Sequence, residues 1–309
     1  MNNIWHTFLY IIVPILIPLA IGAWLHRKFK FELGGFSKML MYYYIPALAF
    51  VKVYEAELTA SLVGTIFLFL AAQFILIVLL GHGVSRMLRH PKPLAASFSN
   101  SIALTNNGNV GIPVNAMAFK HDPFAMSIQM MVVTFELFAT FTFGLLNASR
   151  AASGLKNSLL QFAKTPVLYA IIAGTLLRIA HIPMPEPLLT PLSTIADGML
   201  SFALLTIGAQ MASTMLSLHT ITVLWSSLIR LAAAPVIAWL LLELMHVQGV
   251  TAQALFIASA IPTSRNSAAL ALEYNNEPGF AAQAVLFSTL LSSVTLTIII
   301  QLSGTLFPA

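Results

Sequence analysis

Two short stretches of this sequence carry most of its polar chemistry, and both lie inside apolar segments. Residues 105–113 read TNNGNVGIP, and residues 261–267 read IPTSRNS. Asn106, Asn107, Asn109 and Asn266 supply amide donors and acceptors, Ser264 a hydroxyl, and Arg265 a permanent cation. Pro113, Pro262 and the glycines Gly108 and Gly111 would interrupt any helix running through these stretches. An interrupted helix exposes useful ends. The half that begins after the break has free N–H groups and partial positive charge, which favour an anion. Pro113 suits the first turn of such a half-helix, and Ser264 suits the cap of the other. Arg265 can fork onto a carboxylate. The halves that end at the breaks, near Leu104 and Ala260, offer carbonyls that suit a cation or a proton donor. The plainer reading is that proline and glycine are common in membrane helices, and that an asparagine there often makes only a helix–helix hydrogen bond. Two similar breaks in one chain favour a site over that reading.

The surroundings decide where such a site would lie. Of 309 residues, 58% are hydrophobic and 8% charged, and the mean hydropathy is +0.87. That composition is too apolar for a soluble domain of this length and defines an all-α polytopic membrane protein. The apolar runs are continuous rather than alternating, which excludes a transmembrane β-barrel. The net charge of +5 sits between apolar segments and reads as orientation, not as nucleic-acid binding. The absence of cysteine excludes disulfides and thiolate metal sites. No metal, cofactor or catalytic motif is legible, so an enzyme is not expected.

Apolar segments of spanning length fall at about residues 4–25, 36–53, 62–85, 94–119, 124–147, 166–181, 188–213, 219–245, 250–273 and 280–304. The first has no basic residue before it and reads as a span rather than a cleavable leader. Basic residues concentrate in alternate connections: Arg27, Lys28, Lys30 and Lys38, then Arg86, Arg89 and Lys92, then Arg150, Lys156 and Lys164. The intervening connections hold only Lys52, Lys120 and Arg178. This bias places the first set in the cytoplasm and both termini outside, in a cell (inner or plasma) membrane. The halves also resemble each other. Pro14, Gly22 and Leu25 match Pro166, Gly174 and Leu177, Asn107 falls on Asn266, and Phe124–Ala125 on Phe280–Ala281. Residues 1–148 and 166–309 thus read as two five-span repeats joined by a cytoplasmic linker at 149–165. An odd number of spans inverts the second copy, as in secondary transporters, with the broken fourth and ninth spans crossing near mid-membrane.

The motifs NNGNVGIP and IPTSRNS, with the 5+5 layout, resemble the auxin efflux carrier family, in its bacterial permease branch; Pro46 in IPALAF and Gly208 in LLTIGAQM fit the same pattern. The resemblance covers the whole chain. It implies a scaffold of spans 1, 2, 6 and 7, a transport (crossover) domain of spans 3–5 and 8–10, and elevator-like alternating access. It also implies similarity to bile-acid/sodium symporters and sodium–proton antiporters, and a homodimer as an assembly. The family's crossover residues fall here on Asn107, Asn109, Pro113, Pro262 and Asn266. The connection after the fifth span is short, unlike the long loop of plant carriers, so plant-type phosphorylation control is not expected. The implied function is secondary transport of a small organic anion, a carboxylate such as malate, malonate or an auxin-like acid. Substrate, direction and coupling stay open.

Four further ionisable residues lie within spans: Glu136, Asp197, Arg230 and Glu243. Glu136 is the candidate for exchanging a coupling proton, or a structural partner of Arg265 or Arg230. Arg230 is expected to tie to Asp197. Two rival readings remain: an anion channel, which needs a continuous polar path, and an intramembrane enzyme pairing Glu136 with Asp197.

Overall fold

The computed structural model describes residues 8–55, 60–149, 166–213 and 220–308. The linker with Arg150, Lys156 and Lys164, and the first residues of the first segment, lie outside the described residues. The described chain is almost entirely helical, as the composition requires. In order, the helices are α1 (8–29), α2 (33–55), α3 (Ala60–Met87), α4 (Lys92–Ala103), α5 (107–118), α6 (123–149), α7 (Pro166–Ile179), α8 (Glu186–Ser213), α9 (220–244), α10 (Gly249–Ser259), α11 (Arg265–Glu273) and α12 (Pro278–Leu306). Five are long and apolar enough to cross a membrane: Ser61–Met87, Pro123–Ala148, Glu186–Ala212, Ile221–Leu244 and Pro278–Leu306. The expected count of ten is not legible from helix length. The fourth and ninth segments are each two short helices, and α7 is a 14-residue piece as described.

Five helices contain a widened π turn, at Phe8–Ile12, Leu40–Tyr44, Asn107–Gly111, Thr140–Gly144 and Ile229–Ala233. Four of these turns are followed, two residues on, by a proline: Pro14, Pro46, Pro113 and Pro235. The reason is steric. A proline ring collides with the carbonyl four residues earlier and offers no N–H to it, and widening the preceding turn relieves both problems.

Two packing groups emerge. In the first, α1 lies against α8 at backbone distance, and α2 packs on both α7 and α8. The α1–α8 contact needs glycine on each side. A Cβ on Gly22 would fall 2.0 Å from the Leu205 carbonyl oxygen, and one on Gly208 only 1.8 Å from that of Leu19. In the second group, α3 packs on α4 and α9, α10 on α6, α9 and α12, and α11 on α12. The groups meet mainly where α2 crosses α6 and where α8 approaches the start of α5. Buried apolar side chains such as Ile66, Phe69, Ile128, Leu255 and Phe307 form the largest core, inside which the ends of α10 and α5 are enclosed.

Candidate functional site

The site is built where four helix ends converge. α4 ends at Ala103 with Leu104 as its cap, and α10 ends at Ser259 with Ala260 as its cap. After each, the chain runs extended for a few residues, and the two extended pieces pair as an antiparallel bridge between Thr105 and Thr263. The Asn106 N–H donates to the Pro262 carbonyl at 2.9 Å, and the Ser264 N–H donates to the Leu104 carbonyl at 2.8 Å. Broken backbone away from water must find partners within the protein, and here each break supplies those of the other.

Helix then resumes on both strands. α5 starts at Asn107, six residues before Pro113, through the wide turn described above. Pro113 stands in the first turn of the α-helical part of α5, Ile112–Ala118, as expected from sequence, directly after the wide turn. α11 starts at Arg265, with the Ser264 hydroxyl accepting from the Asn266 N–H at 3.2 Å, the expected cap.

Glu136, on α6, is buried and faces both of these starts. Its Oε2 accepts from the Gly108 N–H at 3.2 Å, and its Oε1 lies 3.5 Å from the Ser264 hydroxyl that donates toward it. The protein's own carboxylate thus sits at the helix starts that the sequence reserves for an anion. α12 makes a related contact, with the Ser288 hydroxyl accepting from the Thr263 N–H at 3.1 Å.

The predicted residues divide into two sets. Asn107 is buried and internally engaged. Its Nδ2 donates to Thr105 Oγ1 at 2.8 Å and to the Ala258 carbonyl at 3.4 Å. Gln129 Nε2 donates to its backbone and side-chain oxygens at 3.1 and 3.2 Å. Gly111 leaves room for this pair, since a Cβ there would lie 2.5 Å from Gln129 Nε2. Asn107, Pro113 and Pro262 therefore shape the breaks. Asn106, Asn109, Arg265 and Asn266 instead line a narrow cavity with Glu136 and Gln210. Its far wall comes from the first packing group, through Leu40 and Ile45 of α2 and Val167 of α7.

Arg230 does not tie to Asp197. Asp197 is exposed on α8, whereas Arg230 is buried and donates through Nη1 to the Ile102 carbonyl at 2.9 Å and through Nη2 to the Ser259 carbonyl. Asp197 also lines neither of the cavities that Glu136 lines, so the paired carboxylates of an intramembrane enzyme are not assembled. Sequence reasoning missed Gln129, Gln210, Thr105, Thr263 and Ser288. A buried polar residue on an apolar helix was the available signal, but such residues are too common to single out.

This arrangement of apolar helices, with two broken ones meeting at a polar cavity, defines a multi-pass membrane protein. Residues 152–300 match the model of a family described as membrane transport protein. Over those residues, just under half of the chain, the match bears out the resemblance to the auxin efflux carrier family and supports a role in membrane transport. No curated protein matches it.

Proposed function

We propose that this protein carries a small organic anion, a carboxylate such as malate, malonate or an auxin-like acid, across a cell membrane. The observation that supports this most is the cavity between the starts of α5 and α11. It combines two helix N-termini, the amides of Asn106, Asn109 and Asn266, and the guanidinium of Arg265. A carboxylate is planar and anionic and accepts several hydrogen bonds at once, which matches this donor set. The chain is read as ten spans in an inverted 5+5 repeat, with α4/α5 and α10/α11 as the crossover and both termini outside. The cavity is lined by α2, α7 and α8, taken with α1 as scaffold, and by α5, α6 and α11 of the remaining helices, taken as the moving body. An elevator motion would carry the lining residues of the second group past α2 and α8. The test is counterflow of labelled malonate or malate in proteoliposomes. Saturable, trans-stimulated uptake supports a carrier, and non-saturating flux without trans-stimulation supports an anion channel.

A second reading, proton coupling through Glu136, is favoured by the placement of its carboxylate. While ionised, Glu136 occupies the N–H group of Gly108 and the Ser264 hydroxyl and repels an incoming anion. Protonation would release the site to substrate, linking one proton to each anion bound. Uptake should then follow an imposed proton gradient in the natural protein and become indifferent to it in Glu136→Gln. Equal pH dependence in both would reject the link.

A further inference from the structure

The carbonyl ends of the broken helices pose a separate question. α4 and α10 both terminate at the breaks, and each end carries about half a unit of negative charge on unsatisfied carbonyls. Such paired ends form an oxygen-lined seat of the kind broken-helix carriers use for a coupling cation.

In this protein the seat is taken up by side chains. Thr263 Oγ1 donates to the Ser101 carbonyl at 2.7 Å, and Asn107 Nδ2 reaches the Ala258 carbonyl at 3.4 Å. A further pair, Ile102 O of α4 and Ser259 O of α10, both receive Arg230, one from each terminal nitrogen. Arg230 reaches in from the wide turn Ile229–Ala233 of α9, and only 1% of its surface is exposed. Its Nε has no hydrogen-bond partner among the described residues, and no carboxylate there forms an ion pair with it. A buried charge without a counter-charge is costly unless aligned dipoles replace the counter-charge. Two helix C-termini do so here, and the fork of a guanidinium is wide enough to bridge them.

We infer that Arg230 is a built-in cation, bridging the carbonyl ends of α4 and α10 where an inorganic cation would otherwise be held, so that the transport cycle needs neither sodium nor potassium. Arginine stays charged at any physiological pH, so the seat is filled through every step of the cycle. The positive charge of this side and the carboxylate of Glu136 on the other set the polarity of the site from within the chain. The consequence for transport rests on the carrier reading above. The occupancy of the seat does not, and can be tested on stability alone.

The experiment compares wild type, Arg230→Ala and Arg230→Lys by thermal unfolding in detergent, at constant ionic strength in choline, sodium, potassium or methylguanidinium chloride. Wild type should melt identically in choline, sodium and potassium. Arg230→Ala should melt lower in choline and recover saturably with methylguanidinium or sodium. In proteoliposomes its uptake should fall about tenfold or more in choline and become cation-dependent, while wild-type uptake ignores the swap. A folded Arg230→Ala that is as stable as wild type, or destabilised with no cation-specific recovery, would overturn the inference. If Arg230→Ala does not fold, Arg230→Lys decides. Folding with melting indifferent to sodium supports a built-in charge, and a requirement for added cation, or a sodium-specific stabilisation of wild type, refutes it. Absence of any carboxylate uptake by wild type would defeat the carrier reading and leave the melting result standing.

Discussion

Replacing Arg265 by alanine tests the anion site most directly. Arg265 is the first residue of α11, immediately after the Ser264 cap, and it lines the cavity with Asn106, Asn109 and Asn266. A charge-assisted hydrogen bond contributes about 1.5–3 kcal/mol, which corresponds to roughly 10–150-fold in affinity. Arg265 is only half-buried, so solvent screening places the expected loss near the low end, at about tenfold. The assay is ligand-induced thermal stabilisation of purified protein titrated with malonate or malate. At a ligand concentration of about 100 times the wild-type Kd, binding stabilises the wild type by about 2.7 kcal/mol, and a tenfold weaker variant by about 1.4 kcal/mol. Arg265→Lys keeps the charge but loses the fork, and should fall between the two. A folded Arg265→Ala protein whose affinity stays within about twofold of wild type would remove Arg265 from the anion site and leave the amides and helix ends to account for binding.

Other substitutions probe the frame that holds this site. Gly208→Ala would put a methyl group 1.8 Å from the Leu19 carbonyl oxygen, forcing α1 and α8 apart at a cost of about 1–3 kcal/mol. Gly64→Ala, in a helix with nothing within 4 Å of the new atom, should instead raise stability by about 0.5–1 kcal/mol; equal melting points for the two would contradict the close α1–α8 contact. Asn107→Ala removes the partner of Thr105, Ala258 and Gln129 and should destabilise the protein by about 1–2 kcal/mol before any ligand is added. A variant that melts like wild type yet loses malonate binding would return Asn107 to direct substrate contact.

The sequence alone was sufficient for the class of protein and for the existence of the breaks. Long uninterrupted apolar runs admit only membrane helices, because backbone in lipid must satisfy itself. The polar clusters at 105–109 and 263–266, with Pro262 before the second, mark the breaks: α4 and α10 end just before them, and helix resumes within each at Asn107 and Arg265. Local chemistry also identified the Ser264 cap, since a serine at a helix start needs only its own N–H neighbours.

What only the tertiary structure decided was the partner of each buried charge. Arg230 and Asp197 are opposite in sign and were natural partners on paper, but α8 turns Asp197 outward while α9 aims Arg230 at carbonyls from two other helices. Glu136 likewise meets N–H and hydroxyl groups of segments 28 and 128 residues away. Asn107 and Asn109 are equal on paper and differ only in which way the wide turn directs them, one into the protein and one to the cavity. The physical reason is the same in each case. Helix breaks are written in local residue types, whereas the donor or acceptor that meets a buried polar group is set by which helix ends converge, and that depends on long-range packing.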